Sequence, residues 1–199
     1  MPSEAVSLFW TAESALHPGA GATLSAVDLP IQRETHTGNP IVYGSGLKGA
    51  LRELKANASG KVAPEYEALF CPDSAQASDH AGLGIFSEAR VVLFPVASFA
   101  GIFVWVTCPA ELHRLKRDLL ALEKSLDAPA AKAAKDFALL SIPDPGVSNV
   151  AAPKTCSAVI NGKIFLLESE GLTLESAAEP AAAQIAKWFA DHGFPAGPE

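Results

Sequence analysis

The hydrophobic pattern opens with residues 6–11 (VSLFWT), an apolar and aromatic run that reads as a buried strand. Residues 14–40 carry no sustained period and are rich in Gly, Pro, Ser and Thr. A stretch of that length without periodicity marks a functional loop or disorder. The residues Ile41, Val42 and Tyr43 then lead into GSGLKGALRELKANA, where Leu47, Ala50, Leu51 and Leu54 form a helical apolar stripe with the basic residues on other faces. Ser45 is the expected N-cap, and Gly44, Ser45 and Gly46 the expected turn feeding the helix. Residues 57–82 read as an irregular connection. Two strand-rich runs, 82–96 and 101–108, are joined by a short turn, and Pro109 starts a second helix with Leu112, Leu115, Leu119 and Leu122 on one face. A short alanine-rich helix, a hairpin at Asn161-Gly162 and one helix in the tail complete the pattern. The order strand, helix, strand, strand, helix predicts an α+β fold with most of a ferredoxin-like unit.

Composition narrows the class. With 199 residues, 49% hydrophobic and 19% charged, the chain is an ordinary globular one. Cys71, Cys108 and Cys156 are widely spread and odd in number, which argues against a disulfide framework and fits a reducing compartment. No basic segment followed by an apolar run opens the chain, and no apolar stretch reaches the roughly 20 residues of a membrane helix, so a soluble, cytoplasmic protein is expected. The net charge of −7 is a poor footprint for a nucleic-acid binder. Its distribution changes that picture. Arg33, Lys48, Arg52, Lys55 and Lys61 stand against Glu34 and Glu53, with His36 besides, whereas residues 151–199 are acidic. An anionic ligand would therefore sit on the first third of the chain.

Candidate chemistry gathers in the same region. A helix N-terminus preceded by Gly-Ser-Gly offers backbone N–H groups to a phosphate, and Lys48 and Arg52, four apart, share a helix face. A plain capped surface helix fits that pattern too. Asp28 beside Pro30 reads either as a turn cap or as a hard oxygen ligand for a divalent cation at an RNA backbone. His17 and His36 are general acid or base candidates, or solvated loop residues. Cys71, Asp73, Asp79 and His80 match no standard zinc spacing. His113 and His192 read as surface residues, and Cys108 as core.

Taken together, HPGAG at 17–21, DLPIQRETHTGNPIVYGSGLKGALR at 28–52, AGLGIFSEARVVLFPVAS at 81–98 and FVWVTCPAEL at 103–112 resemble the repeated backbone subunit of the type III-B CRISPR effector complex, of the RAMP superfamily. The resemblance implies an RRM-like (ferredoxin-like) palm over 1–125, with a functional loop at 13–40 and an irregular insertion at 57–82. Residues 126–199 would form a thumb or insertion region that includes the Asn161-Gly162 hairpin. It implies crRNA and target RNA as ligands, and other effector subunits and further copies of the chain, in a filament, as partners. It also implies target cleavage with a divalent metal, Mg²⁺ or Mn²⁺, held at Asp28, with His17 as a second catalytic candidate. Guide RNA would be contacted by Lys48 and, around it, by Arg33, His36, Gly44, Ser45, Gly46 and Arg52. A non-catalytic guide-binding scaffold and a metal-independent ribonuclease using His17 are the alternatives. Ala97 stands where the family often has a basic residue, and Cys71 where it often has glycine. The family's glycine-rich C-terminal portion has no counterpart, so a fragment or a short member is expected.

Overall fold

The computed structural model describes residues 5–21, 29–56, 62–72, 81–167 and 169–194, and they form an α+β structure. The chain divides into two compact units, Ala15–Val91 and Met1–Ser14 with Val92–Glu199.

The first of these, Ala15–Val91, pairs strand β1 (Ile41–Val42) antiparallel with β2 (Ala89–Arg90). Helices α1 (Gly44–Leu54) and α2 (Pro64–Phe70) lie between them in sequence. The 57–82 stretch is thus not wholly irregular, because Pro64 at the first helical turn starts α2 there. Helix α1 begins at Gly44 with Tyr43 as its N-cap, so Ser45 lies inside the first turn and is not the cap. Packing explains the shift: a Cβ at Gly44 would stand 2.1 Å from the Phe86 carbonyl oxygen, so only glycine lets the helix start against that strand of chain. The inward face of α1 also differs from the apolar stripe. Ala50 and Leu54 are exposed, while Lys48 and Arg52 are half-buried beside Leu47 and Leu51.

The other unit carries the hairpin of β3 (Phe94–Ala97) and β4 (Phe103–Val106), paired antiparallel. Helices α3 (Pro109–Leu122) and α4 (Ala128–Leu139) follow. Strands β5 (Asn149–Val150), β6 (Val159–Ile160), β7 (Lys163–Leu166) and β8 (Ser169–Leu174) form a sheet of order β5-β8-β7-β6, with β5 parallel to β8. Asn161 and Gly162, at φ 50° and 73°, make the turn between β6 and β7 that their sequence predicts. Helix α5 (Glu179–His192) closes the described chain. Leu112, Leu115 and Leu119 of α3 pack with Ala134 and Phe137 of α4 and Ile185, Trp188 and Phe189 of α5. Helix α3 thus buries its apolar face against helices from beyond residue 125.

Two expectations change here. Residues 5–12 form no strand: Ala5 N–H donates to the Ser125 carbonyl, Val6, Leu8 and Trp10 are exposed, and Phe9 packs edge-on to Trp188. Cys108 is exposed rather than core, because β4 ends before it and it serves as the N-cap of α3. The described strands fall into three sheets, of two, two and four strands. His113 and His192 are exposed as expected. Among the described residues, no helix is long and apolar enough to cross a membrane.

Candidate functional site

Every residue singled out for RNA chemistry falls within Ala15–Val91. Asp28 lies outside the described residues, as do Asp73, Asp79 and His80. Gly19 and Ile31 form an antiparallel bridge, with Ala20 N–H donating to the Pro30 carbonyl and Gln32 N–H to that of Pro18, each at 2.8 Å. His17 adds a side-chain tie: its Nε2 lies 3.0 Å from the Leu29 carbonyl oxygen, which only accepts, so this nitrogen is the donor.

Downstream the chain folds on itself over 33–40, where Arg33 and Pro40 bridge. The Arg33 guanidinium donates to the Gly38 carbonyl at 2.8 Å, spanning the turn from within. Glu34 is buried and accepts from the Thr37 hydroxyl, with Arg90 of β2 at 3.5 Å and the His36 ring at 3.8 Å. His36 itself is 75% exposed on that turn. The turn is thus stiffened by side chains that look inward while its histidine looks out.

Gln32 joins these pieces to α1. Its Nε2 donates to the Gly19 carbonyl at 3.0 Å, and its Oε1 accepts from the Tyr43 N–H at 2.7 Å. Tyr43 is the N-cap of α1, so the helix start and the His17 segment share one side chain. No side chain caps α1, and no acidic residue occupies its first turn, which leaves the positive end of the dipole to backbone N–H groups of Gly44, Ser45 and Gly46. Ser45 and Gly46 are exposed and Gly44 is buried.

The two basic residues of α1 also hold the fold. The Lys48 ammonium donates to the Gly84 carbonyl at 3.1 Å and stands 5.8 Å from the Phe86 ring centroid. Arg52 reaches the Pro72 carbonyl at 3.5 Å. Both share a half-buried face of α1, and each anchors a neighbouring stretch of backbone.

Gln32 and Glu34 were missed by sequence reasoning. A glutamine in a loop shows no periodicity, and the only signal for Glu34 is that it is an acid within a basic stretch. Among the described residues no three metal-capable side chains come together.

A family model described as the RAMP superfamily matches residues 10–171. The CRISPR system Cmr endoribonuclease Cmr4 of Pyrococcus furiosus is 42% identical over 103 residues, which are 52% of this chain and 35% of that protein. The crystal structure of oligomeric Cmr4 from Pyrococcus furiosus matches with a TM-score of 0.57 at 26% identity, covering 88% of this chain and 56% of that one. The cryo-EM structure of type III-B Cmr-beta in its apo state matches with a TM-score of 0.59 at 22% identity, over 80% of this chain and 55% of that one, a likeness of fold alone. The chain spans between 35% and 56% of the length of these proteins. With the family match running from residue 10 into β8, the chain belongs to the RAMP superfamily.

Proposed function

We propose that the chain is a repeated backbone subunit of a type III-B CRISPR effector complex that binds crRNA and cleaves complementary target RNA. On this reading the α+β framework is a ferredoxin-like palm, the β6–β7 hairpin belongs to a thumb, and copies of the chain line up along the guide in the cytoplasm beside other effector subunits. The likeness to an endoribonuclease and to an oligomeric relative supports both halves of the reading. The observation that carries it is the hydrogen-bonded ladder of 18–20 with 30–32. From that ladder the chain runs in one direction into the segment containing Asp28 and in the other to the uncapped N-terminus of α1.

The N–H groups of Gly44, Ser45 and Gly46, with Lys48 and Arg52, hold guide phosphates. Arg33 and His36 add contacts from the adjoining turn. Asp28 acts at a splayed target nucleotide, where the neighbouring 2′-hydroxyl loses its proton to water and attacks the phosphorus in line; the bond to the next nucleotide's 5′-oxygen breaks, leaving a 2′,3′-cyclic phosphate and, once that oxygen takes up a proton, a 5′-hydroxyl. The fit to a metal rests on donor chemistry: a lone carboxylate suits Mg²⁺ or Mn²⁺, hard ions that keep water ligands and take phosphate oxygens. Bound there, such an ion supplies charge stabilisation at the scissile phosphate. The chain's own task is to orient sugar and phosphate. The tie from His17 to Leu29 favours a holding role for this histidine over acid–base catalysis.

Lys48→Gln tests the phosphate contacts, since it removes the charge and keeps a donor for Gly84. In the assembled complex, crRNA affinity is expected to fall and the slope of log K against log salt to shrink by about 0.7. Unchanged affinity and slope would overturn the assignment.

A further inference from the structure

We propose that Gln32 is a positioning residue for target-RNA cleavage, setting the paired stretches 17–20 and 29–32 against the N-terminus of α1. The proposal rests on the function above and adds a residue whose own atoms need not reach RNA.

Four hydrogen bonds converge on this half-buried residue. Its main chain donates to the Pro18 carbonyl at 2.8 Å and accepts from the Ile41 N–H at 3.1 Å, placing it between the 18–20 segment and the start of β1. Its side chain reaches the same two stretches one and two residues further along, giving to Gly19 and taking from Tyr43. The carbonyl of Gly19 requires a donor and the amide of Tyr43 an acceptor. A carboxamide presents both from one planar group, whereas ionised glutamate has no donor, and lysine or arginine no acceptor. The partners also fix which way round the amide sits.

The consequence is geometric. Gly19 lies two residues beyond His17, whose ring holds Leu29, and Leu29 directly follows Asp28 in sequence. Tyr43 caps the helix that carries Lys48 and Arg52. The carboxamide therefore joins both sides of the proposed RNA site through its own two hydrogen bonds. In-line attack is sensitive to small displacements, so loosening this tie is expected to slow chemistry more than binding.

Gln32→Glu separates the two arms: it still accepts from Tyr43 but sets a carboxylate oxygen against the Gly19 carbonyl. Measured in the reconstituted effector complex, the single-turnover cleavage rate is expected to fall at least about tenfold, a barrier change of about 1.4 kcal/mol. Affinity for crRNA and target RNA should stay within about twofold, within the noise of such comparisons. Gln32→Met, of similar length with neither polar arm, serves the same reading if the glutamate variant does not assemble. Cleavage within twofold of wild type overturns the proposal, provided Asp28→Ala in the same complex is inactive. Equal losses in cleavage and binding overturn it too, since they mark a purely structural role. Normal cleavage by Asp28→Ala would instead strike the functional reading itself.

Discussion

In the unit made of Met1–Ser14 and Val92–Glu199, leucines and aromatic rings from α3, α4 and α5 bury one another: Phe137 is fully buried, with Trp188 at 4.6 Å and Phe189 at 6.0 Å between ring centroids. In Ala15–Val91 both Ile41 and Phe70 are buried, yet neither belongs to a large apolar cluster. That unit is tied instead by Gln32, Arg33, Glu34, Lys48 and Arg52, each bonded or paired to a neighbouring backbone or side chain. Apolar burial tolerates any shape that excludes water, whereas hydrogen bonds hold particular groups at particular distances. A site that must present phosphate-binding N–H groups beside a reacting sugar has use for the second kind of support.

Replacing one kind of tie at a time sharpens the contrast. Phe137→Ala should have the largest effect, a loss of about 3–5 kcal/mol read as a lowered denaturant midpoint, because it opens a cavity among three helices. Gly44→Ala comes next. Helix propensity alone predicts stabilisation, but the collision with the Phe86 carbonyl predicts a loss of about 1–3 kcal/mol and reduced protection of β1 and β2 amides in hydrogen exchange. Gly49→Ala, on the same helix with open space around its Cβ position, should instead stabilise by about 0.5–1 kcal/mol. A gain at Gly44 equal to that at Gly49 would contradict the packing described. Lys187→Met should move the melting temperature least. Its hydrogen bond, first, and then its charge hold the Asp191 carboxyl below the usual carboxylate range, a contribution present above that range and lost as pH falls through the lowered value. At this exposed pair any difference from wild type at pH 7 is small, and it should shrink further as pH falls below the usual carboxylate range.

The contrast also explains what was legible in the sequence. Helix α3 showed its leucines at helical spacing, and the Asn161-Gly162 turn needs positive φ, so local pattern sufficed for both. The run at 6–11 misled because apolar alternation fits a strand only where a partner exists, and pairing is not a local property. In the candidate site, glycines and basic residues suggested the phosphate contact proposed above. Their second duties did not show: Lys48 under Gly84, Gly44 under Phe86 and Gln32 between Gly19 and Tyr43 are contacts between residues up to 42 positions apart. Those depend on the fold, and no period or motif encodes them.

The central claim is that Asp28 serves a metal-assisted cleavage while His17 holds the loop. The most direct test is target-RNA cleavage by the reconstituted complex with wild type, Asp28→Ala and His17→Ala, in Mg²⁺ and in EDTA. The account predicts cleavage in Mg²⁺ that EDTA and Asp28→Ala each abolish, with His17→Ala slowed but active. Cleavage that persists in EDTA and is lost in His17→Ala would contradict it.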